Sequence, residues 1–147
     1  MIRTAIVESA IDAAALLAEV TSEATGATTL FVGTVRDVND GRRVTGIEYS
    51  AYAAMASEEL SRIAREAADT FDGARVVIEH RVGTLRLTDI SVAIAVAHAR
   101  RTPAMDASRF VIEELKRRVP IWKREHYAEG DWQWVDPTAQ PLAARAL

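Results

Sequence analysis

The chain has no cysteine among its 147 residues. Disulfides, thiolate nucleophiles, iron–sulfur ligation and persulfide carriage are therefore excluded on this chain. Histidine is scarce as well. His80, His98 and His126 are scattered, with no HExxH pattern or other metal-ligand spacing, so neither a structural nor a catalytic metal is expected, nor any other cofactor. No long hydrophobic run opens the chain, because Glu8, Asp12 and Glu19 interrupt its apolar residues. Neither a signal peptide nor a membrane span is expected there, and the expected location is the cytoplasm. A net charge of −3 gives no whole-molecule attraction to nucleic acid or to membrane. The scarcest charged residue is lysine. Of 18 basic residues 16 are arginine, and the two lysines, Lys116 and Lys123, both fall in "LKRRVPIWKRE" at residues 115–125.

What is present is a core. Hydrophobic residues make up 49% of the chain, enough for one globular domain, expected over 1–135, with an irregular tail over 136–147 that contains Pro137 and Pro141. A short strand is expected at 1–7. "SAID" at 9–12 has capping-box character and opens an alanine-rich helix that fades before Gly26. "ATTLFVGTVR" at 27–36 is β-branched and apolar and reads as a strand, with Gly33 marking a bulge or a close backbone approach. Asn39, Asp40 and Gly41 supply turn chemistry, and "VTGIEYSAY" returns as the second strand of a hairpin.

Met55, Leu60, Ile63 and Ala67 recur near helical spacing in a long helix at 53–71. Strands follow at 75–80 and 90–99, the second so continuously apolar that it reads as buried and central. Thr102 and Pro103 read as N-cap and first residue of a further helix, with Asp106 in its first turn. That helix must end near Val119, because Pro120 disfavours helical geometry in the residue before it. "IWKREHY" and "WQWV" read as two last short strands. The order βαββαββα followed by short β predicts an α+β fold with a largely antiparallel sheet and flanking helices.

On the last helix Arg101, Met105, Arg109, Ile112 and Lys116 form one stripe, beside an apolar stripe of Ala104, Ala107, Val111 and Leu115 that faces the core. Lys116 thus falls in the last turn at the core edge, and Lys123 follows the proline on the next extended piece. A chain reversing at Pro120 could bring both amines to one cavity. Between Arg100 and His126 eight basic residues stand against four acidic ones, which reads equally as a solvated helix face. Lysine, however, is a compact charge whose pKa shifts readily, able to exchange a proton or form a carbonyl adduct, whereas arginine supplies charge only. Arg36 ends a strand before a turn, where side chains enter sites, or it is an ordinary strand-end cation. Arg100 and Arg101 stand between a buried strand and a helix N-terminus, suited to an anion or to a rim salt bridge. Phe31, Trp122, Trp132 and Trp134 read as core or interface, and His98 as a satisfied core histidine.

Taken in order, "FVGTVRDVNDGRRVTGIEYSAYAAMA", "HRVGTL", "ISVAIAVAHARR" and "ELKRRVPIWKRE…W" resemble the catalytic, large subunit of molybdopterin synthase over roughly residues 27–135. The resemblance implies an α/β hammerhead fold and a homodimer of large subunits within a heterotetramer. Its partners would be two ubiquitin-like small subunits ending in a Gly-Gly thiocarboxylate. It implies a sulfurtransferase that moves two sulfurs onto cyclic pyranopterin monophosphate to form the dithiolene of molybdopterin. The missing cysteine fits, since the sulfur would arrive on the partner. By motif position Lys116 and Lys123 match the catalytic lysines. Thr34, Val35 and Arg36 match the pterin-pocket strand end and Phe31 its apolar wall, while Arg124 and Glu125 continue the second lysine motif beside the substrate. Arg100 and Arg101 fall where the family usually has His-Arg, holding an anionic part of the substrate. Arginine for histidine keeps a donor and makes the charge permanent, but removes any neutral imidazole. The competing readings are a non-catalytic dimeric module for an anionic ligand or a partner's tail, a Schiff-base lysine enzyme, and a nucleic-acid binder. The last is disfavoured by charge and by the lack of any nucleic-acid motif.

Overall fold

The computed structural model describes residues 1–130 and 132–135, so the tail expected over 136–147 and the side chain of Trp132 lie outside it. Its elements run β1 (Ile2–Val7), α1 (Ala13–Val20), β2 (Ala27–Thr34), β3 (Val38–Asn39), β4 (Arg42–Ala51), α2 (Ala53–Thr70), β5 (Arg75–Arg81), β6 (Gly83–Arg86), β7 (Ile90–His98), α3 (Arg101–Arg118), β8 (Ile121–Tyr127) and β9 (Trp132–Val135). They build two sheets. One has the order β1-β5-β7-β2, and the other runs β3-β4-β8-β9 with β6 also paired to β4. Only β1 and β5 pair in parallel, so the α+β, largely antiparallel hammerhead-type architecture holds.

Strand β7 is buried along almost its whole length, and its alternation decides what covers each face. Val92, Ile94 and Val96 point into the main core, with α3 over them, while α2 lies over β1 and β5. Ala93, Ala95 and Ala97 point the other way, beneath Leu16 and Val20 of α1. Small residues on that face let a short helix approach closely. On β5, Val76 and Ile78 join the main core while Val77 joins the α1 side. His80 continues the Val76–Ile78 face by the same period of two.

Helix α1 begins at Ala13 with the Asp12 carboxylate accepting from the Ala15 N–H at 3.1 Å, so Asp12 is the N-cap itself and the helix starts three residues later than a capping box opened by Ser9 would place it. In α2 the inward stripe is Ala56, Leu60, Ile63, Ala64 and Ala67. Met55, expected inward, is 58% exposed; it stands five residues before Leu60, far round the helix, whereas Ala56 four residues before Leu60 falls on the stripe. Helix α3 starts earlier than Thr102–Pro103 suggested. The His98 Nδ1 accepts from the Arg100 N–H at 3.0 Å and the Arg100 carbonyl accepts from the Ala104 N–H at 3.3 Å, so Arg100 is the N-cap. Pro103 still lies in the first turn, where its missing N–H costs nothing, and Asp106 falls in the second. His98 Nε2 donates to the Asp72 carbonyl at 2.8 Å, so this histidine is the satisfied core residue expected, tying the α3 start to the α2–β5 turn. At the other end Val119 is extended (ψ 123°) before Pro120, and β8 starts at once.

The hairpin is smaller than expected. Strand β2 stops at Thr34, where its register with β7 shifts, and the Val35 N–H donates to the Asp89 carbonyl at 3.0 Å. A Cβ on Gly33 would lie 2.8 Å from Val92 Cγ1, the close approach that residue signalled. The chain then crosses to the second sheet, where β3 pairs β4 through Asp40 and Gly41, both at positive φ as a type I′ turn demands. Strands β2 and β4 therefore belong to different sheets. No helix among the described residues is long and apolar enough to cross a membrane.

Placing a leucine on the alanine face of β7 tests this packing. Ala95→Leu, at a fully buried position under α1, is expected to destabilise the fold by about 1–3 kcal/mol through overpacking. Urea unfolding reads this as a lower midpoint with an unchanged slope; an unchanged midpoint means α1 is not seated there.

Candidate active site

The same two-residue period sorts β8. Ile121, Lys123, Glu125 and Tyr127 face inward, while Trp122 and Arg124 face out. Opposite them across the β4–β8 ladder stand Ala51, Tyr49 and Ile47, paired with Ile121, Lys123 and Glu125. This inner face forms one wall of a pocket. The last turn of α3 supplies a second through Leu115, Lys116 and Val119, and the end of β2 with its β7 neighbour supplies a third through Gly33, Thr34, Val35, Arg36 and Ser91. Asn39 from the hairpin and His80 from β5 complete the lining. The reversal at Pro120 thus brings Lys116 and Lys123 into one cavity.

At its base lies Glu125, 1% exposed. The Asn39 amide donates to both its oxygens, at 2.8 and 3.0 Å, and Lys123 Nζ lies 3.1 Å from Oε1. Burial alone would raise this carboxyl. The Asn39 amide, the Lys123 charge and the Tyr127 hydroxyl outweigh it and hold the group below its ordinary value of 4.5. Tyr127 is pushed up to about 12, by burial first and then by Glu125. The Arg42 guanidinium stacks 3.5 Å over the Tyr127 ring and bridges to Glu129 at 3.2 Å, so the hairpin carrying Asn39 is clamped from both sides. Tyr49, also raised by burial, meets His80 edge-on with centroids 5.2 Å apart. The Ser91 hydroxyl donates to the Gly33 carbonyl at 3.2 Å, fixing the strand end that turns toward the pocket.

Of the residues singled out from sequence, Thr34, Val35, Arg36, Lys116, Lys123 and Glu125 meet here. Phe31 sits opposite Ile94 in the β2–β7 ladder, packed against the main core behind Gly33. Arg124 is on the outer face, paired with Glu48 at 2.8 Å and 5.1 Å from the Trp134 ring, because strand alternation separates it from Glu125. Arg100 and Arg101 line a separate groove with Gly26, Ala99, Thr102 and Pro103. Fifteen residues of helix separate Arg101 from Lys116, roughly 22 Å at the helical rise, so one chain cannot bring both to one pocket. Four polar pocket residues were not singled out: Asn39, noted only as turn chemistry, and Tyr49, His80 and Ser91. Tyr49 was detectable in principle, two residues after Ile47 on the apolar face of an alternating strand; Asn39 and His80 carried no local signal.

Two lysines, one buried carboxylate and a guanidinium thus meet in one pocket of a cysteine-free α+β fold with largely antiparallel sheets, a set of charges able to accept an anion. Among the described residues no group of three or more histidines and carboxylates is placed to hold a metal. The chain belongs to the MoaE protein family, the catalytic subunits of molybdopterin synthase in molybdenum cofactor biosynthesis, whose family model matches residues 6–118. The molybdopterin synthase catalytic subunit of Halalkalibacterium halodurans is 41% identical over 133 residues, covering 90% of this chain and 85% of that one. The crystal structure of molybdopterin synthase from Staphylococcus aureus superposes with a TM-score of 0.84 at 35% identity, covering 88% of this chain and 94% of that chain. A complex of subunits 1 and 2 of the molybdopterin-converting factor from Helicobacter pylori shares the fold, with a TM-score of 0.74 at 22% identity over 93% of this chain and 91% of that chain.

The Asn39–Glu125 contact makes a stability prediction with a definite sign. A carboxyl depressed in the folded state contributes stability above its unfolded value of about 4.5 and loses it as pH falls through the folded value. Asn39→Ala leaves a buried carboxylate short of donors and should cost about 1–3 kcal/mol at pH 7. The gap to wild type should narrow below pH 4.5, as Glu125 protonates in both proteins. Denaturation at pH 7 and at successively lower pH measures it; a gap constant with pH means the amide serves packing and not the charge.

Proposed function

We propose that this protein is the sulfur-transferring subunit of molybdopterin synthase. It would take sulfur from the C-terminal Gly-Gly thiocarboxylate of a ubiquitin-like small subunit and deliver it to cyclic pyranopterin monophosphate. The observation that carries this reading is the meeting of Lys116 and Lys123 in one pocket with a buried carboxylate beneath and Arg36 at the mouth. The family membership and the small-subunit complex known for the Helicobacter pylori relative support it.

Each transfer makes a carbon–sulfur bond on the pterin in place of a carbon–oxygen bond there, that oxygen leaving as water or staying with the phosphate as the cyclic ester opens, and breaks the bond from sulfur to the tail's acyl carbon. Water supplies the oxygen that returns the tail as a carboxylate, and two such rounds give a dithiolene. No group on this chain needs to hold the sulfur. The Lys116 and Lys123 ammonium groups meet the thiocarboxylate and stabilise the charge that grows on sulfur and oxygen as that bond breaks. Glu125 holds the Lys123 amine at the pocket base, 3.1 Å from its Oε1. Thr34 and Arg36 take an anionic part of the pterin, with the short Val35 side chain, 4% exposed, forming the apolar floor beside them. Phe31 supports that strand from behind, and Arg124 holds the outer face of β8 through Glu48. Arg100 and Arg101 serve the substrate only through the second copy of a homodimer, since their own α3 carries them away from their own lysines. The soluble, cytoplasmic setting of cofactor synthesis suits this chemistry.

Single-turnover conversion of cyclic pyranopterin monophosphate with thiocarboxylated small subunit tests the reading. Wild type should form the dithiolene product, and Lys116→Ala and Lys123→Ala should each slow it by roughly 10²- to 10³-fold while still binding the small subunit. Wild-type protein that binds the partner but makes no product would instead be a binding module.

A further inference from the structure

Most of the pocket lining belongs to elements packed on the core, but one polar member reaches it from a surface hairpin. Asn39 stands on β3, next to the Asp40–Gly41 turn. The positive φ values that the turn needs fall on Asp40 and Gly41, so nothing in the turn's backbone calls for an amide at position 39. Val38 beside it is 42% exposed, and by strand alternation Asn39 points the other way, into the pocket. There its Nδ2 donates to both oxygens of Glu125, at 2.8 Å to Oε1 and 3.0 Å to Oε2. The backbone under it is anchored close by. The Val44 N–H donates to the Asp37 carbonyl at 2.7 Å, and the Ala128 N–H to the Arg43 carbonyl at 2.9 Å.

Glu125 needs such a hold. Lys123, Glu125 and Tyr127 lie on one face of β8, where residues two apart are separated by about 6.7 Å. A glutamate between them has room to lean toward either neighbour, and a donor from another element selects one position. Asn39 is that donor. Oε1, the oxygen it approaches most closely, is also the one that lies 3.1 Å from Lys123 Nζ. We propose that Asn39 is a positioning residue for Lys123: by fixing the Glu125 carboxylate from the hairpin, its amide fixes where the Lys123 amine stands in the pocket.

The side-chain type matters as much as the place. An arginine or lysine at position 39 would bring a second cation to Oε1 and compete with Lys123 for it, and an aspartate would repel the carboxylate. An amide donates without charge, so the ion pair remains that of Lys123 and Glu125. The charged and titratable groups facing Glu125 are Lys123 and Tyr127 on its own strand, Tyr49 from β4, Lys116 from α3, His80 from β5 and Arg36 beyond β2. Burial pushes Glu125 up; the Asn39 amide is the largest of the influences that bring it below 4.5, ahead of the Lys123 charge. Loss of the amide therefore raises the pH at which Glu125 takes a proton and releases the lysine.

The contact does not depend on the sulfur-transfer reading, but its catalytic consequence rests on it, and two measurements keep them apart. The chain has two lysines, so protein labelled at lysine ¹³Cε gives two lysine signals, told apart by Lys116→Arg. Without partner or substrate, the wild-type Lys123 signal should change as Glu125 protonates below pH 4.5. In Asn39→Leu, which keeps the volume and removes the donor, that inflection should move to higher pH. A Lys123 inflection that stays where it is overturns the proposal. The second measurement is the single-turnover assay with saturating thiocarboxylated small subunit. Asn39→Leu should be slowed roughly 10- to 100-fold, the loss expected for a hydrogen bond to a charged group. The acid limb of its pH–rate profile should move to higher pH together with the Lys123 inflection. Asn39→Gln, which keeps the amide, should recover most of the rate and return the limb. Where the leucine variant does not fold, Asn39→Ser, too short to span to the carboxylate, takes its place in both measurements. Equal rates for the amide-free and glutamine variants, or slowing with an unmoved limb, would assign Asn39 to packing and sink the proposal. A Lys123 signal that follows Asn39, in a protein whose wild type forms no product, would uphold the positioning and remove the synthase reading.

Discussion

A carboxylate 1% exposed is expensive to keep ionised, and much of this structure is arranged around compensating Glu125. Its donors come from three places in the chain: Asn39 on the β3–β4 hairpin, and Lys123 and Tyr127 two residues to either side on its own strand. To reach it, the hairpin has to fold over the inner face of the second sheet. Arg42 on the Tyr127 ring holds it there. The consequence is a pocket whose base carries a fixed negative charge and whose walls carry cations. That arrangement seats Lys123 at the pocket base, while Lys116 lines the facing wall from a different element.

The two lysines reach this place by different routes. Lys116 belongs to a helix whose last turn is basic and whose macrodipole favours positive charge there. Lys123 belongs to a strand and is directed by pleat alternation. What joins them is the abrupt change at Val119–Pro120, where an extended residue ends α3 and β8 begins without an intervening loop. A longer connection would carry entropy and leave the relative position of the two amines loose. Behind them, β7 presents branched side chains to the core under α3 and alanines to α1, so α3 and its lysine are carried on a central, buried strand.

Local signals carried far in this chain. The Asp40–Gly41 turn, the end of α3 before Pro120 and the central character of β7 were all readable, because each depends on a few neighbouring residues with one dominant physical preference. Where reading failed, the deciding contact was distant. The start of α3 was displaced by His98, whose role depends on Asp72 in another connection. The hairpin was read as joining β2 to β4, whereas the shift at Gly33–Thr34 sends β2 into one sheet and β4 into the other.

The site divides along the same line. By itself the sequence determined its chemistry: no thiol, two lysines among 16 arginines, and the motifs that carry the family likeness. Side-chain type is a property of each residue, so it survives without coordinates. Only the tertiary structure decided who meets whom. It joined Asn39 to Glu125 across 86 positions, set His80 in the same pocket as Lys116, turned Arg124 outward, and carried Arg100 and Arg101 to the far end of α3. Those outcomes follow from strand register, helix length and sheet assignment, which depend on the packing of the whole core and leave no trace in any short stretch of chain.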